Sequence, residues 1–195
     1  SNLVPWHLLK RDRGIVLKHI PITDEGRLDL SKLDDLLTKK TKLVAVCHAS
    51  NVLGTINPIA ELAAKAHAVG ALLLADGAQA VPHMKVDVSA LGCDFYAFSA
   101  HKMCGPTGVG VLWARPEILK EMDPFMVGGE TILEVFLDRS TFRDPPHRFE
   151  PGTPAVAEVA CLGAAIDYLS ALGLDAVHAH EESLAEYAQK KLAAI

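Results

Sequence analysis

Three short apolar runs in this chain break off into polar clusters, each in the same direction along the sequence. Lys42–Cys47 leads into His48–Asn51, Ala71–Ala75 into Asp76–Gln79, and Phe95–Phe98 into Ser99–Lys102. A short continuous apolar run reads as a strand covered on both faces, the usual state of a strand in a parallel sheet. Between the first two runs, Pro58 stands at a helix start and Gly70 at its stop, enclosing the Ala-rich helix Ile59–Ala68. Strands alternating with helices predict an α/β fold, a mainly parallel sheet flanked by helices. In such a sheet ligands bind beyond the carboxyl ends of the strands. The three polar clusters all lie at such ends and can converge on one ligand.

The remaining segments extend this plan. Gly14–Ile20 is a strand candidate, followed by a turn at Asp24-Glu25-Gly26. Leu30, Leu33, Leu36 and Leu37 fall at helical spacing. Gly110–Trp113 makes one more strand and Pro116–Met122 a short helix. Met126–Pro154 reads as a loop, with Gly128-Gly129, Pro145-Pro146 and Pro151-Gly152. Two helices follow, from about Ala155 to Leu172 and from about Asp175 onward. No internal repeat or low-complexity tract interrupts the 195 residues, a length for one large domain or a domain and a piece.

Composition excludes several classes of function. The formal charge of -5 argues against a nucleic-acid surface, which needs clustered Lys and Arg. No apolar run is long enough to span a bilayer. The four cysteines (Cys47, Cys93, Cys104 and Cys161) form no CxxC pair. Neither a metal site nor a disulfide framework is therefore expected, and a reducing, cytoplasmic compartment is. Ser1–Trp6 has no secretory pattern. The last helix stops at Ile195 without a capping Gly or Pro, as a cut segment would.

The chemistry lies in the strand-end clusters. Lys102 offers an amine, Asp76 a carboxylate, and Ser99 with His101 a hydroxyl and an imidazole. An aldehyde cofactor with a pyridine ring and a phosphate needs such a set: an amine for a Schiff base, a carboxylate facing the ring nitrogen, and polar groups for the phosphate. Taken singly, each has a plainer reading, because a lysine after a strand is ordinarily solvated and an Asp there ordinarily forms a turn. Gly105–Gly110 looks superficially like a nucleotide loop but lacks the Gly-Lys-Ser/Thr ending and the following helix. His48 reads equally as a packed core residue or a pocket residue. His178 and His180 read as solvated on an acidic helix, and Cys47, Cys93 and Cys161 as small core residues.

Order and spacing carry more than the single residues. The stretches His48-Ala49-Ser50-Asn51-Val52-Leu53-Gly54-Thr55, Asp76-Gly77-Ala78-Gln79-Ala80, Ser99-Ala100-His101-Lys102 with Gly105-Pro106-Thr107-Gly108, and Arg148-Phe149-Glu150-Pro151-Gly152-Thr153-Pro154 form one pattern. It resembles the class V branch of fold-type I pyridoxal-phosphate enzymes, specifically the Suf-type (group II) cysteine desulfurases and the related selenocysteine lyases. Lesser matches run almost from Ser1 to Ile195.

The resemblance implies pyridoxal 5′-phosphate as cofactor, with Lys102 as the Schiff-base lysine and the base that moves the substrate's Cα proton. It implies that Asp76 pairs with the pyridinium nitrogen, Gln79 with the ring's phenolic oxygen, and Ser99 and His101 with the phosphate. Asn51 would orient the substrate carboxylate. Thr153 would reach the phosphate of the neighbouring subunit of a homodimer, with Gly152 allowing close approach. The implied substrate is L-cysteine or L-selenocysteine, and the implied partner a sulfur-acceptor protein. Another class V activity (lyase, aminotransferase or epimerase) and a non-catalytic cofactor-binding fragment are the alternatives.

The family's sulfur-accepting cysteine, its substrate-clamping arginine and its ring-stacking histidine have no counterpart here, and the pattern does not make Cys104 the sulfur acceptor. Residues 1–195 are thus expected to be part of a cofactor-binding large domain, helical from about 155 on, without its N-terminal segment and small C-terminal domain. Alone it is expected to be inactive.

Overall fold

The computed structural model describes residues 2–195, so Ser1, at the head of the segment without a secretory pattern, lies outside the described residues. The chain opens with α1 (Val4–Arg13), which has proline in its first turn and ends at Gly14, whose φ of 65° closes the helix through an N–H bond to the Lys10 carbonyl. The strand expected over Gly14–Ile20 is absent. The segment pairs with no other, and Val16 is 83% exposed. Apolar residues make a strand only where another strand supplies the ladder, and no described segment runs alongside this one. The turn at Asp24-Glu25-Gly26 is present, flanked by the single bridge Ile22–Leu28. A 3₁₀ turn (Leu30–Lys32), started by the Asp29 carboxylate accepting from Ser31 N–H at 3.1 Å, runs into α2 (Leu33–Leu36).

The core follows as β1 (Leu43–Cys47), α3 (Ile59–Ala68), β2 (Leu72–Asp76), α4 (Val88–Leu91), β3 (Phe95–Ser99) and β4 (Gly110–Ala114). The sheet order is β1-β2-β3-β4. The pairs β1/β2 and β2/β3 are parallel, whereas β4 returns antiparallel to β3. Ile59, Leu62, Ala63 and Ala66 form the buried stripe of α3, spaced as a helix of 3.6 residues per turn requires. The stripe belongs to one apolar cluster with Val44, Val46, Leu73, Ala75 and Tyr96 of the sheet. Deleting one large member, as in Leu62→Ala, costs about 2–5 kcal/mol.

At the amino-terminal end of the sheet, Asp94 is 2% exposed. Its carboxylate accepts the Leu73 N–H at 2.7 Å and a His67 ring N–H at 2.8 Å, with Arg115 Nε at 3.3 Å. This end is closed by structural polar bonds, which leaves the carboxyl ends for chemistry.

After α5 (Pro116–Glu121), the segment expected to be loop contains an antiparallel hairpin, β5 (Ile132–Val135) and β6 (Ser140–Phe142). Its strands are short and solvent-facing, so neither a buried apolar run nor clean alternation marks them. The two closing helices are α6 (Val156–Leu172) and α7 (Leu174–Leu192), close to expectation. Cys161, expected in the core, is exposed on α6, because the buried face of that helix is Leu162, Ala165 and Leu169. No single helix among the described residues is long and apolar enough to cross a membrane.

Candidate active site

The parallel register brings the strand ends level. Cys47 of β1 lies opposite Asp76 of β2, and Asp76 lies opposite Ala97 of β3. His48–Asn51, Asp76–Gln79 and Ser99–Lys102 therefore leave the sheet side by side at one edge, as their positions after apolar strands predicted. The chain turns sharply there. Asp76 Oδ1 accepts the Ala78 N–H at 3.1 Å, and the N–H groups of Ala80 and Val81 bond back to the Gly77 carbonyl at 2.9 and 3.0 Å. Asp76 is half-buried and keeps its second oxygen free of protein donors among the described residues.

Lys102 closes a 3₁₀ turn, Ala100–Lys102, set directly on the end of β3. Ala100 and Met103 are buried, and both pack in the cluster that includes Leu162 and Leu169 of α6. His101 and Lys102 between them are exposed. Two apolar anchors thus hold the turn and present the imidazole and the amine outward. The Gly105 N–H bonds to the Ala100 carbonyl at 3.0 Å, and a Cβ at 105 would stand 2.9 Å from that oxygen, so the return of the chain requires glycine.

Asn51 is exposed in the β1 loop, where Ser50 Oγ accepts the N–H groups of Val52 and Leu53 at 3.2 Å. Gln79 and Ser99 are half-buried. Asn51 and Gln79 line a cavity of about 380 Å³ with Ser50, His83, His178 and Glu181. His83 Nδ1 lies 2.8 Å from Glu181 Oε1, tying α7 to the β2 loop. His178, expected to be solvated, is instead half-buried in this cavity wall, 3.5 Å from Glu182. His180 is exposed as expected. Thr153 is exposed in its loop, next to Gly152, whose φ is 81° and whose N–H bonds to the Gly129 carbonyl at 2.8 Å.

His48 is the ambiguous residue that the structure resolves. It is 6% exposed, with Nδ1 2.8 Å from the Tyr96 hydroxyl. Burial lowers its pKa, and burial raises the Tyr96 phenol. The Cys47 thiol is also raised, by burial first and then by the Asp76 charge. Tyr96 escaped the sequence reading, because an aromatic in an apolar strand looks like any other core residue. No three His, Cys, Asp or Glu side chains among the described residues are grouped to hold a metal ion.

A free carboxylate oxygen, an amide, a hydroxyl, an imidazole and an accessible amine at adjacent strand ends fit a pyridine ring bearing an aldehyde and a phosphate. A mixed sheet with helices on its faces is the large-domain architecture of fold-type I pyridoxal-phosphate enzymes. The aminotransferase class-V family pattern matches residues 1–195, and the chain belongs to that family of pyridoxal-phosphate enzymes.

A cysteine desulfurase of Dickeya dadantii (strain 3937) is 55% identical over 196 residues, covering 100% of this chain and 48% of the relative. A cysteine desulfurase of Enterobacter sp. (strain 638) is 50% identical over 196 residues, covering 100% and 48%. Among solved structures, the cysteine desulfurase CsdA of Escherichia coli superposes with a TM-score of 0.95 at 37% identity, covering 98% of this chain and 48% of that one. The apo cysteine desulfurase of Thermococcus onnurineus NA1 gives 0.92 at 41%, covering 97% and 48%. The chain spans about half the length of the curated relatives it matches.

Proposed function

We propose that residues 1–195 are the cofactor-carrying part of a large domain in a Suf-type cysteine desulfurase, which converts L-cysteine to L-alanine and takes up the sulfur as a persulfide. The observation that carries this reading is the placement of Lys102. Its turn is anchored by Ala100 and Met103 on the strand beside the one that ends in Asp76. The relatives named cysteine desulfurase support the choice of reaction within the family.

When bound, pyridoxal phosphate supplies an electron sink for the pair left on the substrate's Cα. Lys102 would hold the cofactor through its amine and, once freed by the substrate amine, would serve as the base for the Cα proton. Asp76 would keep the proton on the ring nitrogen. Gln79 would hydrogen-bond the ring's phenolic oxygen, and Ser99 and His101 would hold the phosphate. Asn51 orients the substrate carboxylate from the β1 loop. A cysteine thiolate outside Cys47, Cys93, Cys104 and Cys161 attacks the substrate sulfur, so that one S–S bond forms as the substrate's C–S bond breaks.

Thr153 crosses to the neighbouring subunit's phosphate in a homodimer. A protein thiol accepts the persulfide sulfur for iron–sulfur cluster assembly. The four unpaired cysteines fit a reducing cytoplasm.

The test uses the full-length protein with pyridoxal phosphate, L-cysteine and a reductant. Alanine and sulfide are expected in equal amounts, and borohydride should fix the cofactor on the peptide containing Lys102. Labelling of another lysine, or no alanine, would overturn the assignment.

A further inference from the structure

Tyr96 sits on β3 and His48 just past the end of β1, two strands that do not touch, yet their side chains meet beneath the strand between them. The register Val46–Ala75–Tyr96 puts Tyr96 on the face of the sheet opposite to that of Asp76. From there its hydroxyl reaches His48 Nδ1 at 2.8 Å, with the two rings perpendicular and their centroids 5.9 Å apart. The path runs under Gly77. A Cβ at that position would stand 2.0 Å from Tyr96 Cε1 and 2.4 Å from the hydroxyl oxygen. Gly77 is not among the glycines with positive φ. Its lack of a side chain is therefore required by the tyrosine ring, not by the backbone.

Asp76 stands directly on this arrangement. Its carbonyl accepts the His48 N–H at 2.8 Å, and the Gly77 N–H donates to the Ala97 carbonyl at 2.7 Å. The peptide that carries the carboxylate is thus bonded to β1 on one side and β3 on the other. The Tyr96–His48 bond ties those two strands together below it. Both partners are buried, so the bond leaves a buried orphan when either one is removed.

We propose that the Tyr96–His48 hydrogen bond is a positioning device for Asp76, fixing the height and direction of its carboxylate toward the cofactor's ring nitrogen. The inference rests on the proposed function. Tyr96 and His48 are positioning residues, since they act through Asp76 and the Gly77 turn. A pair that only filled the core would affect the melting temperature and nothing at the ring.

The experiment uses the full-length protein loaded with pyridoxal phosphate, without substrate. Wild type, Tyr96→Phe, His48→Asn and Asp76→Asn are compared by melting temperature, by cofactor affinity, and by pH titration of the cofactor's visible absorption. Tyr96→Phe should weaken cofactor binding about tenfold, the scale of one lost hydrogen bond that leaves an orphan. Its absorption titration should move in the same direction as that of Asp76→Asn. His48→Asn places an amide where Nδ1 stood and should remain within about threefold of wild type, a smaller loss than that of a broken bond. If Tyr96→Phe binds cofactor with wild-type affinity and titration, the inference is overturned alone. Should wild type fail to bind pyridoxal phosphate, the proposed function falls and the inference with it. If Tyr96→Phe does not fold, His48→Leu replaces it, with the same two outcomes.

Discussion

His48 donates its backbone N–H to the carbonyl oxygen of Asp76 at 2.8 Å, one residue beyond the point where β1 and β2 pair through Cys47 and Asp76. Together with the Gly77 N–H bond to Ala97, this holds the end of β2 without using the Asp76 carboxylate. The Asp76 carboxylate contributes one bond, to the Ala78 N–H, and is otherwise available to a ligand. Backbone position and side-chain chemistry are therefore separable here, and a substitution that changes only the second can be interpreted.

Asp76→Asn is such a substitution. The amide oxygen can still accept from Ala78, so the melting temperature of the full-length protein should change by a few degrees at most. An amide cannot hold a proton on the ring nitrogen. Turnover should fall by at least ~10²-fold, the scale of a lost electrostatic partner in the transition state. Parallel measurements of thermal unfolding and of alanine release check both statements. Near-normal turnover would assign protonation of the ring to another group.

The turn carrying Lys102 separates anchoring from chemistry in the same way. Lys102 is exposed and makes no protein bond among the described residues, so Lys102→Ala should change stability by less than about 0.5 kcal/mol. It should nevertheless abolish borohydride-fixable cofactor and nearly all turnover. Met103→Ala should do the reverse. Met103 is 5% exposed against α6, and its truncation costs about 2–5 kcal/mol, while the lysine remains able to take up cofactor. Urea unfolding and reduced-peptide mapping of the two variants give the comparison.

Much of this arrangement was legible before any coordinates. Pro58, Gly70 and the Ile59-Leu62-Ala63-Ala66 spacing mark α3 from end to end, and the apolar runs of β1 to β4 fall within a residue of their observed limits. The three clusters beyond β1, β2 and β3 meet at one edge because parallel strands bring like ends together. What escaped depends on partners rather than on local pattern. Gly14–Ile20 has strand composition and no strand to pair with. The direction of β4 is not written in Gly110–Trp113, since an apolar run reads alike both ways. α1 buries no residue and its start has no side-chain cap, so Pro5 and Gly14 at its ends bracket no apolar face that would mark it. The Tyr96–His48 contact spans 48 residues and two strand pairings, and becomes visible only once the register is known.

Acid should destabilise the fold through His48. The unfolded chain titrates that ring near 6.5, whereas burial holds the folded-state value lower. In the window below 6.5 the unfolded state binds more protons, so stability falls as pH drops, by at most about 1.4 kcal/mol per pH unit for one group. Above 6.5 the effect disappears. The half-buried Cys47 and buried Cys93 thiols act at the other end, because their raised values make stability fall as pH climbs past the ordinary thiol range. Urea midpoints from pH 5 to 7.5 should fall less steeply on acidification in His48→Asn than in wild type. Equal slopes would show that His48 takes up its proton in the folded state as readily as in the unfolded one.

Sharing of sites between subunits has a direct test through Thr153. Lys102→Ala and Thr153→Ala full-length proteins are each expected to be impaired, and mixing them should restore activity. In a heterodimer one site collects both substitutions and the other collects neither. Activity should therefore rise toward about a quarter of wild type at equal mixing, since half the dimers are mixed in a two-fold assembly and each has one intact site. No rise, or a monomer in solution at micromolar concentration, would remove Thr153 from the neighbour's phosphate.

The four cysteines should separate into two accessible and two protected thiols, and none of them should act as the sulfur acceptor. Cys93 is buried, and Cys47 is half-buried with its thiol raised by burial and by Asp76. Only the thiolate attacks sulfur or an alkylating agent, so both should be slow. Cys104 and Cys161 are exposed and should be alkylated first by iodoacetamide at pH 7.5, with Cys47 and Cys93 following only in denaturant. Of the accessible pair, Cys161 lies on α6, which packs behind the Lys102 turn through Leu162 and Leu169. Cys104 leaves that turn two residues after Lys102, beyond buried Met103, with a φ of 63°. Neither lines the cavity that Asn51 and Gln79 share. The 195-residue chain, loaded with pyridoxal phosphate and given L-cysteine with a reductant, should therefore release no alanine above a protein-free control. In the full-length protein Cys104→Ala should keep most of its turnover. Alanine from the chain alone, abolished by Cys104→Ala, would make Cys104 the sulfur acceptor.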